Sequence, residues 1–244
     1  AHVIDRLFST LVAKKSKEIW SDSLSTLNSR MKIFNLKEKP NTRVVSFKLE
    51  SVQALPLSSP KPTFVFWGRL NFQKNIAYSL RLIYELNKIT KGCKFMIIGP
   101  DGGERRKLEI LVDSLNLHEV VKFYGPMSFL EIKEKAALST FYIQLSRHEG
   151  MAISVIEAMQ LGLIPVVTSV GEISAYCFND YNSIIVDNID QALKSIQAVL
   201  QRGRLFRSLR KNAIESWDRH PTYNESIINC CSNLCENLDR TNQY

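Results

Sequence analysis

From Thr63 onward, short and continuously apolar runs alternate with amphipathic helical stretches, and this alternation constrains the fold more than any other feature. The runs "TFVFWG" (63–68), "CKFMIIG" (93–99), "VVKFYG" (120–125), "FYIQLS" (141–146), "IPVVTS" (164–169) and "SIIVD" (183–187) read as six strands. Between them, "KNIAYSLRLIYELNKI", "GGERRKLEILVDSLNL" and "SFLEIKEKAALS" carry large apolar residues at helical spacing, the last opening at the N-cap residue Ser128. Residues 152–161 and a short segment around 172–177 complete the helices between strands. Strands apolar on both faces and joined by helices imply a parallel sheet covered on both sides. The expected architecture is a doubly wound, Rossmann-like α/β domain. Its ligand belongs in the crevice beyond the carboxyl ends of the strands. Three strand exits are glycine- or proline-rich there: Gly68, Gly99 followed by Pro100-Asp101-Gly102-Gly103, and Gly125-Pro126.

The flanks differ. Residues 1–62 read as two helical stretches, around 2–19 and 21–34, a strand-like "TRVVSFKL" and a Pro/Ser linker, "LPLSSPKP". Residues 189–219 and 223–239 read as helices. The expected division is 1–62 as the tail of a preceding lobe plus linker, 63–219 as the Rossmann-like lobe, and 220–244 as a crossing helix and tail. The absence of an initial Met and of a signal-peptide pattern makes the chain read as a fragment. Of the net charge of +8, residues 1–62 contribute eleven Lys/Arg against five Asp/Glu, a balance of +6. A second cluster, "RGRLFRSLRK" (202–211), reads as a solvated helix face; it lacks the interleaved aromatics of a base-stacking surface, and nucleic acid is not expected as a partner. The five cysteines (Cys93, Cys177, Cys230, Cys231, Cys235) are odd in number and lack C-x-x-C pairs. That argues against a disulfide framework or a zinc site and for a reducing, cytoplasmic setting, with core packing the role expected of the last three.

The chemistry concentrates in "HEGMAISVIEAMQLGLIPVV" (148–167). Its helix is apolar except for Ser154, Glu157 and Gln160, spaced by three. This stripe is either the solvent edge of the helix or the lining of the crevice. In the second reading Glu157 accepts hydrogen bonds from a cis-diol such as ribose, because a carboxylate has two acceptor oxygens and no donor. The helix start, near Met151 to Ser154, offers free N–H groups and a positive dipole end to an anion. Glu149, just upstream, is either a charged turn residue or an acceptor for sugar hydroxyls. At the first strand exit, "WGRLNFQKN" places Arg69 and Lys74, a donor fork and a mobile charge suited to a diphosphate. The glycines fit neither G-x-G-x-x-G nor a Walker loop, which removes the usual dinucleotide and P-loop readings.

"FWGRLNFQKN", "MIIGPDGG", "VVKFYGPM" and "HEGMAISVIEAMQLGLIPVV", in this order, resemble the C-terminal, donor-binding lobe of retaining GT-B glycosyltransferases of the group 1, or family 4, type. The resemblance covers residues 63–188. It implies that Arg69 and Lys74 grip the donor diphosphate, that Glu157 holds the ribose, and that Glu149 contacts the transferred sugar. It further implies backbone contacts to sugar and phosphates from Gly150, Met151, Ala152 and Ile153. The base would lie against Gly125, Pro126 and Met127, with close approach of phosphate at Gly68. Ala152 departs from the family, which commonly has Gly at that position.

By the same resemblance, a sugar passes from a nucleotide-diphosphate-sugar to an acceptor with retained configuration. No metal or other cofactor is required. The partners expected are the donor, an acceptor, and a missing N-terminal lobe. The basic N-terminal segment adds an expectation of peripheral contact with an anionic inner membrane face. Two alternatives are a nucleotide-sugar epimerase of the same architecture and a non-catalytic nucleotide-sugar-binding or membrane-docking module.

Overall fold

The computed structural model describes residues 2–16, 18–34, 41–49, 52–56 and 59–241. Positions 57 and 58 of the expected linker and 242–244 of the expected tail lie outside the described residues. The chain divides into two compact units, residues 51–219 and residues 1–50 together with 220–244. No described helix is long and apolar enough to cross a membrane.

The smaller unit holds helix α1 (His2–Lys15), strand β1 (Glu18–Ser21), helix α2 (Leu24–Ile33), strand β2 (Asn41–Val44) and the C-terminal helix Tyr223–Thr241. The helix expected over 2–19 therefore stops at Lys15. Residues 18–21 instead pair in parallel with 41–44, in the register Glu18↔Asn41. The Arg43 guanidinium grips the Glu18 carboxylate through Nε to Oε2 at 3.0 Å and Nη2 to Oε1 at 3.1 Å. Together with the Trp20 indole, it holds that carboxyl below its ordinary range. Long-range pairing outweighs local helical spacing here. The strand expected over 42–49 is likewise shorter, ending at Val44. In the C-terminal helix, Cys230 is buried but Cys231 and Cys235 are exposed. Successive helical residues rotate by about 100°, so the three cysteines cannot all face one core, and the packing role holds only for Cys230.

The larger unit contains the six expected strands: β3 (Thr63–Trp67), β4 (Lys94–Ile98), β5 (Val121–Tyr124), β6 (Phe141–Gln144), β7 (Ile164–Val167) and β8 (Ile184–Ile185). All pair in parallel, in the order β5-β4-β3-β6-β7-β8. The connecting helices are α3 (Ile76–Ile89), α4 (Arg105–Ser114), α5 (Phe129–Ala136), α6 (Ile153–Gln160) and α7 (Ile173–Tyr176). Helices α8 (Ile189–Gln201) and α9 (Gly203–Glu215) follow, separated at Arg202, whose backbone is extended. Ser128 caps α5 in a reciprocal capping box with Glu131.

Strand alternation sorts the two faces. Phe64, Phe66, Phe141, Ile143 and Leu145 join one large core with Leu80, Ile83 and Leu86 of α3. Each such side chain contributes about 1.5–3 kcal/mol by leaving water. Trp67, Tyr142 and Gln144 point to the other face, where α6 packs. Helix α6 itself buries Val155, Ile156, Ala158 and Met159. In the basic cluster, Arg202, Arg204, Arg207 and Lys211 are exposed as expected. Arg210 is the exception: its guanidinium packs against Gly162 and donates to the Leu55 carbonyl, and burial lowers its pKa.

The exits of β3 and β4 approach so closely that a Cβ on Gly99 would stand 2.0 Å from the Gly68 carbonyl oxygen, and Gly99 adopts φ +139. Gly99→Ala is expected to cost about 3 kcal/mol or more, since backbone strain and overpacking each cost about 1–3 kcal/mol. Gly92→Ala, where a Cβ meets open space at φ +81, is the control and costs about 1–2 kcal/mol. Urea denaturation of the two variants checks the difference.

Candidate functional site

The sheet order reverses between β3 and β6, so the segments leaving these two neighbouring strands diverge and leave a crevice at their carboxyl ends. The two segments are stitched together. Asn75 Nδ2 donates to the Leu145 carbonyl at 3.1 Å. Gln73 Nε2 donates to the His148 carbonyl at 3.0 Å, and the Arg147 amide donates to the Gln73 carbonyl at 2.9 Å. A 3-10 turn, Phe72–Lys74, is capped by the Asn71 side chain, which accepts from the Lys74 amide at 3.1 Å. This frame brings Lys74 Nζ to 2.8 Å from Glu149 Oε1, with side chains only 16% and 5% exposed. Two residues 75 positions apart thus form one nearly dry ion pair.

A polar network continues from that pair along the α6 face of the sheet. Gln144 Nε2 donates to Glu149 Oε1 at 3.1 Å. Gln144 Oε1 accepts from the Tyr142 hydroxyl at 2.7 Å and the Ser154 hydroxyl at 2.9 Å. Tyr142 is fully buried, and burial raises its pKa well above the ordinary value. It therefore stays a hydroxyl donor through the neutral range. Its ring meets Trp67 edge-on at 4.4 Å between centroids.

Glu157 faces the other end of the crevice. Its Oε2 accepts from the Trp67 indole at 2.6 Å. Burial raises the Glu157 pKa, and the indole bond opposes that rise. Glu157 and Trp67 line a cavity of about 300 Å³ with Gly68, Ile98, Gly99, Pro100, Pro126, Met127, Phe129 and Ile132. The cavity is apolar on the α5 side and carries one carboxylate opposite. A larger hollow of about 510 Å³, lined by Thr63, Lys94, Val121 and Leu138 among others, lies at the amino ends of the strands. In a parallel sheet that is the wrong end for a ligand.

The sequence-derived residues distribute as follows. Gly68, Pro126, Met127 and Glu157 line the cavity, and Lys74 and Glu149 form the ion pair beside the exit of β6. Arg69 is exposed on the loop between them. Gly125 adjoins the cavity-lining loop, and its carbonyl accepts from the Gly99 amide at 3.2 Å. Gly150, Met151, Ala152 and Ile153 form the approach to α6. The Gly150 carbonyl accepts from the Glu172 amide at 3.1 Å, and the Met151 carbonyl from the Tyr176 hydroxyl at 2.6 Å. Ala152 is the N-cap of α6 with φ 52 and ψ 61, a left-handed conformation that a glycine adopts without strain. The solvent-edge alternative for the helix stripe fails. Gln160 is only 6% exposed, Ser154 bonds inward to Gln144, and Glu157 faces the cavity.

Trp67, Tyr142 and Gln144 were not among the expected site residues. A signal was present: in "FYIQLS", strand periodicity sets Tyr142 and Gln144 on one face, and a buried amide requires partners.

The raised pKa of Glu157 makes a signed prediction. Unfolded, the carboxyl ionises near its ordinary value of 4.5; folded, it ionises at higher pH. The folded state therefore loses stability as pH rises from the lower value through the higher one. Glu157→Gln, neutral throughout, is expected to be more stable than the parent at pH 7–8 and equal to it below pH 4.5. Thermal unfolding across this range is the check.

Residues 47–216 match the model of the family described as glycosyl transferases group 1, well over half of the chain. A GDP-mannose:cellobiosyl-diphosphopolyprenol alpha-mannosyltransferase of Xanthomonas oryzae pv. oryzae is 25% identical over 145 residues, 58% of this chain and 38% of that protein. The alpha-D-kanosaminyltransferase of Streptomyces kanamyceticus is 30% identical over 101 residues, 41% of this chain and 26% of that protein. This chain thus spans well under half the length of these relatives. Among solved structures, the pneumococcal O-GlcNAc transferase in complex with UDP and GlcNAc superposes with a TM-score of 0.79 at 16% identity, covering 95% of this chain and 47% of that one. Sucrose-phosphate synthase from Thermosynechococcus elongatus gives 0.79 at 17% identity, covering 98% and 62%. At such identities the likeness is one of fold, the Rossmann-like arrangement of GT-B glycosyltransferases. The family match and the fold agree: this chain belongs to the glycosyl transferases group 1 family.

Proposed function

We propose that this chain is the donor-binding lobe of a retaining glycosyltransferase that moves a sugar from a nucleotide-diphosphate-sugar to an acceptor. One observation carries the reading. At the reversal of strand order, a lysine–carboxylate pair (Lys74, Glu149) and a second carboxylate (Glu157) flank the crevice, the latter lining a largely apolar cavity of about 300 Å³. The relatives are named as sugar transferases, and the pneumococcal enzyme was crystallised with UDP and GlcNAc, which supports the same donor class.

In this reading the base rests against Pro126 and Met127, and the free oxygen of Glu157 accepts from the ribose. The diphosphate lies between Arg69, Lys74 and the start of α6. Lys74 is not spent on Glu149, because an ammonium group has three donors and can hold a carboxylate and a phosphate together. These cations and the helix dipole stabilise the negative charge that grows on the departing diphosphate. No protein nucleophile is assigned; the acceptor hydroxyl attacks on the face the leaving group departs from, assisted by the leaving phosphate. Both carboxylates bind rather than react, no metal is needed, and an N-terminal acceptor lobe completes the site. The working place is the cytoplasm, at or near the inner membrane face.

Calorimetry with UDP, GDP and ADP tests the reading. One of these is expected to bind in the micromolar-to-millimolar range, with or without EDTA. Arg69→Ala, which removes an exposed side chain and leaves the fold intact, is expected to weaken binding about tenfold or more, the loss of one charge-assisted contact of about 1.5–3 kcal/mol. Glu157→Ala should weaken it similarly. Unchanged affinity in both variants contradicts the assignment.

A further inference from the structure

Gln144 lies outside the four stretches that carry the family resemblance, yet it is fully buried and sits at the centre of the site's hydrogen bonding. An amide has one acceptor end and one donor end, and a lone glutamine can present either. Here the choice is made by its neighbours. The Tyr142 and Ser154 hydroxyls, at 2.7 and 2.9 Å, both reach the same atom of the Gln144 side chain. The Tyr142 hydroxyl also lies 3.3 Å from the Trp67 carbonyl, and its one proton goes to Gln144, the shorter contact. A hydroxyl can turn to donate or accept, but the Glu149 carboxylate has no proton to give, so the NH₂ group faces Glu149 and the amide oxygen faces the two hydroxyls.

Glu149 Oε1 consequently receives two donors, Gln144 Nε2 at 3.1 Å and Lys74 Nζ at 2.8 Å. Its other oxygen, Oε2, accepts from no side chain or amide among the described residues. A carboxylate held by one oxygen in this way has its second oxygen oriented for an incoming hydroxyl. Lys74 alone would not achieve this, because a single ion pair on a flexible stem leaves the carboxylate free to turn.

We infer that Gln144 is a positioning residue that orients the Glu149 carboxylate, so that Glu149 Oε2 accepts from a hydroxyl of the donor's sugar. The inference rests on the donor-site reading above and deepens it. It makes sugar recognition depend on a strand residue that does not touch the sugar. It also divides the site into two parts. Glu157, held by Trp67, serves the nucleotide, and Glu149, held by Gln144 and Lys74, serves the sugar.

The test separates these parts by measuring two ligands on each variant: UDP against UDP-glucose, and GDP against GDP-mannose. In Gln144→Met, which keeps the volume and removes both ends of the amide, nucleotide-sugar affinity is expected to fall about tenfold, the equivalent of one charge-assisted hydrogen bond. Nucleoside diphosphate affinity should stay within about twofold. Combining Tyr142→Phe with Ser154→Ala keeps Gln144 but frees its amide to turn, and an intermediate loss confined to the nucleotide-sugar is expected. An unchanged ratio of the two affinities in Gln144→Met overturns the inference. So does an equal loss for both ligands, which would make Gln144 a purely structural residue. A parent chain that binds none of UDP, GDP and ADP overturns the donor-site reading itself, and this inference with it.

Discussion

A carboxylate that is 5% exposed must be answered by a cation or by donors, and the Glu149 carboxylate is answered from across the sheet. Its partners come from the segment after β3 (Lys74) and from β6 itself (Gln144). Removing Lys74 while keeping Glu149 leaves a carboxylate nearly out of water, a loss of about 3–5 kcal/mol for a buried pair. The two segments therefore have to stay in register, and the stitches from Gln73 and Asn75 hold them there. The parallel pairing of β3 with β6 through Phe64↔Phe141 and Val65↔Tyr142 is the foundation under this arrangement. Topology supplies the crevice, and the ion pair fixes the shape of its rim.

Helix α6 has two jobs that pull in opposite directions. Its apolar residues anchor it between the sheet and α9, while Glu157 is kept where burial disfavours its charge. The Trp67 indole recovers part of that cost by donating to one oxygen, and it leaves the other toward the cavity. A residue tolerated at a cost to stability is what a binding site requires. Ala152 adds a smaller cost of the same kind, a side chain held in left-handed backbone at the approach to the helix.

Much of this was legible in the sequence, for identifiable reasons. Continuous apolar runs between amphipathic segments are an unambiguous signature of a covered parallel sheet, and each of the six runs became a strand of that sheet. Glu157 was legible because a carboxylate on an otherwise apolar helix demands an explanation. The misread helix over residues 18–21 was of long-range origin. Residues 18–21 look helical locally, and only pairing with Asn41–Val44, with Arg43 on Glu18, makes them a strand. The exposure of Cys231 and Cys235 follows from helical phase, which clustering in sequence conceals. Gln144 was visible as an amide in an apolar strand, but its partners Glu149 and Ser154, five and ten residues on, reach it only through the turn from β6 into α6.

In the proposed function a nucleoside diphosphate occupies the crevice at the cavity that Trp67 and Glu157 line together. The indole N–H of Trp67, bonded to Glu157 at 2.6 Å, is a reporter placed within it. In the ¹⁵N-labelled chain, with the resonance assigned by Trp67→Phe, titration with UDP or GDP is expected to shift the Trp67 indole signal saturably. The signals of Trp20 and Trp217, which do not line this cavity, should remain in place. Saturable nucleotide binding that leaves the Trp67 indole unmoved would contradict the account.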